Sequence, residues 1–166
     1  MNESGSSPTT ADDPYPGVDE ACDWAKLSYS WALQRLDAVD SRIQNLQAYS
    51  ASVVLAGFAV SGAVSKDADF KSVWFLIALA GFAVMVVAGA VGRAWGTVTL
   101  VSPGVLFKDW LSKPGWDFKK DIVYFAGEHF EANCGLINRK GWTADALTIV
   151  LVLQTVALSV WIAREL

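Results

Sequence analysis

Three stretches of this chain contain no Asp, Glu, Lys or Arg: Ile43 to Ser65, Ser72 to Gly92 and Ala146 to Ala163, of 23, 21 and 18 residues. At ~1.5 Å of rise per residue, helices of this length match a hydrocarbon core of ~30 Å. Nothing else in the sequence restricts the fold so strongly. The spacing predicts an all-α integral membrane protein with three transmembrane helices and two long helical stems on the cytoplasmic side. A composition 53% hydrophobic and only 18% charged agrees with that reading. The rival, a very apolar soluble bundle, has to explain three such runs in 166 residues.

The organisation follows in order along the chain. Residues 1–18 hold Pro8, Pro14 and Pro16 among Ser, Thr, Asp and Gly, a composition that predicts a disordered tail with no signal peptide. Asp19, Glu20 and Asp23 then open a helix, where acidic side chains suit the positive end of the helix dipole. Tyr29, Ala32, Leu36, Val39, Ile43, Leu46, Ser50 and Val53 recur every three or four residues, one face of a helix that runs from stem into span over 19–65. A charged turn, Lys66 to Lys71, leads to a second span over 72–101, in which Ala88, Gly92 and Gly96 stand four apart, a spacing for close helix packing. Pro103-Gly104 breaks the chain before a short interfacial helix over 105–112, and Lys113-Pro114-Gly115 turns it again. Phe118, Ile122, Phe125, His129, Ala132 and Leu136 mark an apolar face on a second stem, which enters the third span to complete the segment 117–163.

Ten of the thirteen basic residues flank the spans on the side of the N-terminus and residues 93–141. By the positive-inside rule that side is the cytoplasm, and the C-terminus lies outside the cell membrane. Cys22 and Cys134 fall far apart in the sequence, so no disulfide framework or zinc site is readable, and both are expected to be thiols.

Catalytic patterns are not in evidence. The chain has one histidine, His129, on an apolar stripe, and the Gly-rich segment Gly89 to Gly96 follows no strand. An enzyme is not expected, nor a cofactor or a metal. A net charge of -4 gives no broad basic face for duplex nucleic acid.

The candidate functional residues are therefore polar groups at or within the spans. Ser50, Gly57 and Ser61 fall near one line of the first span, and Thr148, Thr155 and Ser159 near one line of the third. Such lines either face a water-filled pore in an oligomer or pack helices together with their hydroxyls on their own backbone. Gln44, Asn45 and Gln47 at the entrance of the first span are candidates for a gate or vestibule. Arg35, Arg42, Lys119, Lys120, Arg139 and Lys140 are candidates for an anionic ligand, or else for stem-to-stem ion pairs or lipid headgroup contacts. Asp145, at the mouth of the third span, is expected to meet Arg139, Lys140 or a base of a neighbouring copy.

The order of these parts resembles a family. A soluble helix ending LDAVDSRIQNLQAY enters a first span; a turn, a second span and a break at SPG follow; an amphipathic helix ending INRKG then leads to a third span containing Gln154. Over residues 20–163 this is similar to the Pycsar transmembrane effectors and related SLATT-domain proteins of bacterial anti-phage systems, with Asp40-Ser41 and Arg139-Lys140 as the most specific pieces. The first span here is richer in Ser and Gly. The resemblance implies a homo-oligomeric effector in the bacterial inner membrane that opens an ion path, depolarises the membrane and arrests the infected cell. It implies a lipid bilayer as surroundings, and a nucleotide second messenger or a cytosolic regulatory protein as trigger. A membrane adaptor, whose stems dock a cytosolic partner, is the alternative.

Overall fold

The structure, a computed structural model, describes residues 16–64, 70–99, 108 and 112–165. Within them the chain is helical, with no strand: α1 is Val18–Val64, α2 is Val73–Ala94 and α3 is Gly115–Glu165. Each contains a segment long and apolar enough to cross a membrane. Most of the tail and most of the interfacial helix expected over 105–112 lie outside the described residues, as does most of the charged turn.

The local reasons for these boundaries are visible. Pro16 and Gly17 form a turn whose glycine carbonyl accepts from Ala21 N at 3.1 Å, starting α1 with Asp19 and Glu20 in its first turn. Pro114 does the same for α3, accepting from Phe118 N at 3.0 Å. Gly135 and Gly141 do not interrupt α3, because the helix is held on both sides of each by packed residues. The second span ends sooner than the sequence predicts. α2 stops at Ala94 rather than running to 101, with Trp95 extended and Gly96 at φ 68°, a conformation that costs glycine little.

The described residues divide into two units, those up to Leu33 with those from Val98 to Cys134 in one, and those from Gln34 to Thr97 with those from Gly135 onward in the other. In the first, Ala32 of α1 is buried, as expected from its periodicity, and Cys22 and Ala25 extend the buried face toward the start of the helix. Of the face expected on α3, Phe118, Ile122, Phe125, His129 and Leu136 are half-buried and Ala132 is exposed, while the buried positions are Ala126 and Asn133. Asn133 has a backbone partner. Its Oδ1 accepts from Thr99 N at 2.9 Å and its Nδ2 donates to Thr99 O at 3.3 Å, so the segment after α2 bonds to a side chain as it would to a strand. Lys119 of α3 pairs with Asp19 of α1, and Lys113 with Asp121. His129 stacks beside Phe125, ring centroids 4.3 Å apart. Cys22 and Cys134 are free thiols, as expected.

The second unit is a three-helix bundle with two apolar clusters. One joins Ile43 and Leu46 of α1, Met85 of α2, and Ala144 and Leu147 of α3. The other gathers Phe75 and Ala78 of α2 against Ala157, Leu158 and Trp161 of α3. Phe70 and Phe75 contact the fully buried Trp161 ring at centroid distances of 5.8 and 4.9 Å. Large aliphatic side chains such as Leu76, Val84, Val87 and Val91 on α2 point outward, the arrangement suited to lipid rather than water.

Candidate functional site

Four polar links tie the helices of the second unit together, in order along α1 at residues 40, 42, 47 and 50. Each takes a side chain the sequence marks as polar and gives it a partner on another helix, which an environment without water demands of the buried ones.

The first is centred on Lys140 of α3. Its side chain is only 2% exposed, and its Nζ donates to both carboxylate oxygens of Asp40 at 3.1 Å and to Arg93 O at 3.2 Å. The third bond satisfies a carbonyl in the last turn of α2, where the helix dipole favours a cation. One ammonium thus joins α1, α2 and α3. The second link is exposed: Arg42 Nη1 pairs with Asp145 at 2.9 Å and Arg42 Nη2 donates to Thr148 Oγ1 at 3.2 Å.

The third and fourth lie deeper in the apolar runs. Gln47 Nε2 donates to Met85 O at 3.3 Å and Val86 O at 3.2 Å, lying against Gly89; a Cβ there would sit 2.5 Å from the amide nitrogen. Ser50 Oγ donates to Gln154 Oε1 at 2.6 Å, and Gln154 Nε2 returns a bond to Ser50 O at 3.2 Å. Both residues are buried, and the closed pair leaves neither amide nor hydroxyl idle.

The pore-lining candidates are thereby separated. Ser50, Gly57 and Ser61 are buried in the bundle: Ser50 is bonded to Gln154, Gly57 faces Leu158, and Ser61 donates to Phe58 O of its own helix at 3.0 Å. They pack helices and do not present a polar line to the surface of this chain. Thr148 is half-buried beside Arg42, while Thr155 and Ser159 are exposed and donate to Leu151 O and Thr155 O at 2.8 Å. Of the vestibule candidates, Gln44 and Asn45 are exposed and Gln47 is taken into the bundle.

The six basic candidates do not converge either. Lys119 meets Asp19, Lys120 meets Asp117 at 2.7 Å, Arg42 meets Asp145, and Lys140 is buried on Asp40; Arg35 and Arg139 are exposed. The ion-pair alternative, pairing between the two long helices, describes three of them, Arg42, Lys119 and Lys140, while the Lys120 pair lies within α3. Asp145 pairs with Arg42 of the same chain, in place of the expected Arg139 or Lys140.

The link the sequence reading missed is Asp40 with Lys140. A signal was present: Ile137, Lys140, Ala144 and Leu147 are spaced three, four and three apart, which places the lysine on the buried ridge of α3. A buried lysine has to find a carboxylate, and Asp40 occupies a half-buried position on α1.

Outside the spans, charge pairs set the ionisation of the first unit. A hydrogen bond from Lys26 lowers Asp23 below its usual value, Asp23 in turn raises Lys26, Asp19 raises Lys119, and burial raises Tyr29. Among the described residues no group of three or more His, Cys, Asp or Glu could hold a metal ion.

Three helices able to cross a bilayer, cross-linked by satisfied polar contacts, are the build of a multi-pass membrane protein. Comparison with protein-family models, curated proteins and solved structures finds no match for the chain.

Proposed function

We propose that this protein is a homo-oligomeric membrane effector of bacterial antiviral defence, whose copies form a gated ion path that depolarises the inner membrane and arrests the infected cell. The observation that carries the reading is the division of polar groups in the second unit. Ser50, Gln154, Gln47 and Lys140 bond one another or backbone inside the bundle, while Thr155 and Ser159 stand one turn apart on the outer surface of α3. The ion path therefore belongs between copies, with these α3 hydroxyls at its wall. The orientation puts the N-terminal side in the cytoplasm by its basic residues. A nucleotide messenger or cytosolic regulatory protein acts there, at the exposed Arg35 or Arg139.

The test is ion flux from vesicles holding the purified chain, with a voltage-sensitive dye in expressing cells as its counterpart. Flux that falls at least about tenfold in a Thr155→Leu/Ser159→Leu variant supports the reading, since bulky apolar walls raise the barrier to hydrated ions. Flux absent in vesicles and cells, with infection supplied as trigger, refutes it. One observation favours a second reading, that of a membrane adaptor. Trp24, Leu27 and Trp31 form an exposed apolar patch on α1, the two indoles edge to face at 5.7 Å, available to a cytosolic protein. It predicts phage protection by a chain that conducts nothing.

A further inference from the structure

The outward face of α1 in the second unit differs from that of α2. Where α2 turns mainly large aliphatic side chains outward, α1 exposes, beside Tyr49 and Phe58, one line of mostly small and polar residues, Ala38, Ser41, Asn45, Ala48, Ser52 and Leu55, alternating by three and four residues. This is a heptad seam opposite the buried ridge of Leu36, Ile43, Leu46 and Ser50. Lipid matches bulky aliphatic groups well, but it offers no partner to the amide of Asn45, which stands two residues inside the charge-free run. Small residues, by contrast, let two helix backbones come close.

We propose that a second copy of this chain covers that face, by a parallel, in-register pairing of α1 with α1. All copies inserted by one route share one orientation, so the two helices run the same way and equal residues oppose one another across a twofold axis. Asn45 then meets Asn45 of the partner, each amide donating to the other's carbonyl oxygen, and Ala38, Ala48 and Ser52 allow the approach. Charge supports this register. Asp37 and Arg42 flank the seam on opposite sides, five residues apart, the spacing at which flanking residues of parallel heptad helices meet across the interface. Both are exposed, and the five N–H donors of Arg42 leave capacity beyond its bonds to Asp145 and Thr148. The inference names the contact on which the homo-oligomer proposed above rests, and it is tested by association rather than by ion flow.

The experiment uses the full chain in lipid vesicles with oxidative cross-linking. Ala48→Cys places one thiol on the seam, and Val87→Cys places one on the outer face of α2; the native chain is the blank. Dimers formed at least about fivefold faster by Ala48→Cys are the expected result. Asn45→Val should weaken association, read by energy transfer between labelled copies at rising lipid dilution, by roughly three- to twentyfold. Asp37→Arg should weaken it too, with helix content unchanged. Equal cross-linking at the two positions, or association untouched by Asn45→Val, overturns the pairing. Cross-linking with no ion flux in vesicles or in infected cells leaves the pairing standing and refutes the channel; flux with no cross-linking does the reverse.

Discussion

Removing the carboxylate partner of Lys140 should do more damage than removing the lysine itself. In Asp40→Ala the ammonium keeps its position, 2% exposed, and retains a single bond to Arg93 O in place of three. Leaving a buried charge without its counter-ion costs about 3–5 kcal/mol. In Lys140→Met the volume is kept, and the abandoned Asp40 side chain is 29% exposed and can take up water. The loss is then the carbonyl's bond and a weakened contact, about 1–3 kcal/mol. The double variant Asp40→Leu/Lys140→Met removes both charges and should lie close to the native chain, within about 2 kcal/mol on either side. At ~2–4 °C per kcal/mol for a chain of this size, Asp40→Ala lowers the melting midpoint by roughly 6–20 °C. The assay is loss of tryptophan fluorescence signal or helical circular dichroism on heating in detergent micelles. A Lys140→Met midpoint below that of Asp40→Ala, or a double variant worse than both singles, would refute the assignment of Lys140 as a buried, paired cation.

The other predictions concern the remaining links. Gly89→Ala should displace the Gln47 amide from its two carbonyls and cost about 1–3 kcal/mol, while Gly62→Ala, which meets open space, should be neutral or stabilising, both measured as melting shifts in micelles. A double-mutant cycle of Ser50→Ala with Gln154→Leu should give a coupling of about 0.6–1.7 kcal/mol, and additive effects would mean that the pair does not act as a unit. In the first unit, Lys26, Lys119 and Tyr29 are all raised in the folded chain, so their contribution to stability is complete below the unfolded values near pH 10 and is lost as pH climbs through the folded ones. Asp23, being lowered, contributes above about pH 4 and loses this as pH falls through its folded value. Circular dichroism should therefore show helix content steady between those limits, with Tyr29→Phe and Lys119→Met flattening the alkaline limb only.

The sequence by itself determined the three apolar helices and the buried ridge of α1. Length without charge decides what can enter a bilayer, and a three-and-four spacing decides which side of a helix is apolar; both properties are local. On α3 the same periodicity marks residues that are half-buried, Ala132 excepted, but it does not mark Asn133, because a polar side chain shows its buried place only through a partner such as the Thr99 backbone. Tertiary structure alone decided which polar residues satisfy one another. Ser50 with Gln154 and Asp40 with Lys140 are each separated by 100 residues or more, and either partner could on sequence grounds have faced a pore, a ligand or a neighbouring copy. A lone hydroxyl or ammonium carries no mark of its destination; its choice is made by the partner that the packed helices bring within 3 Å or so, where leaving the bond unmade costs more than making it.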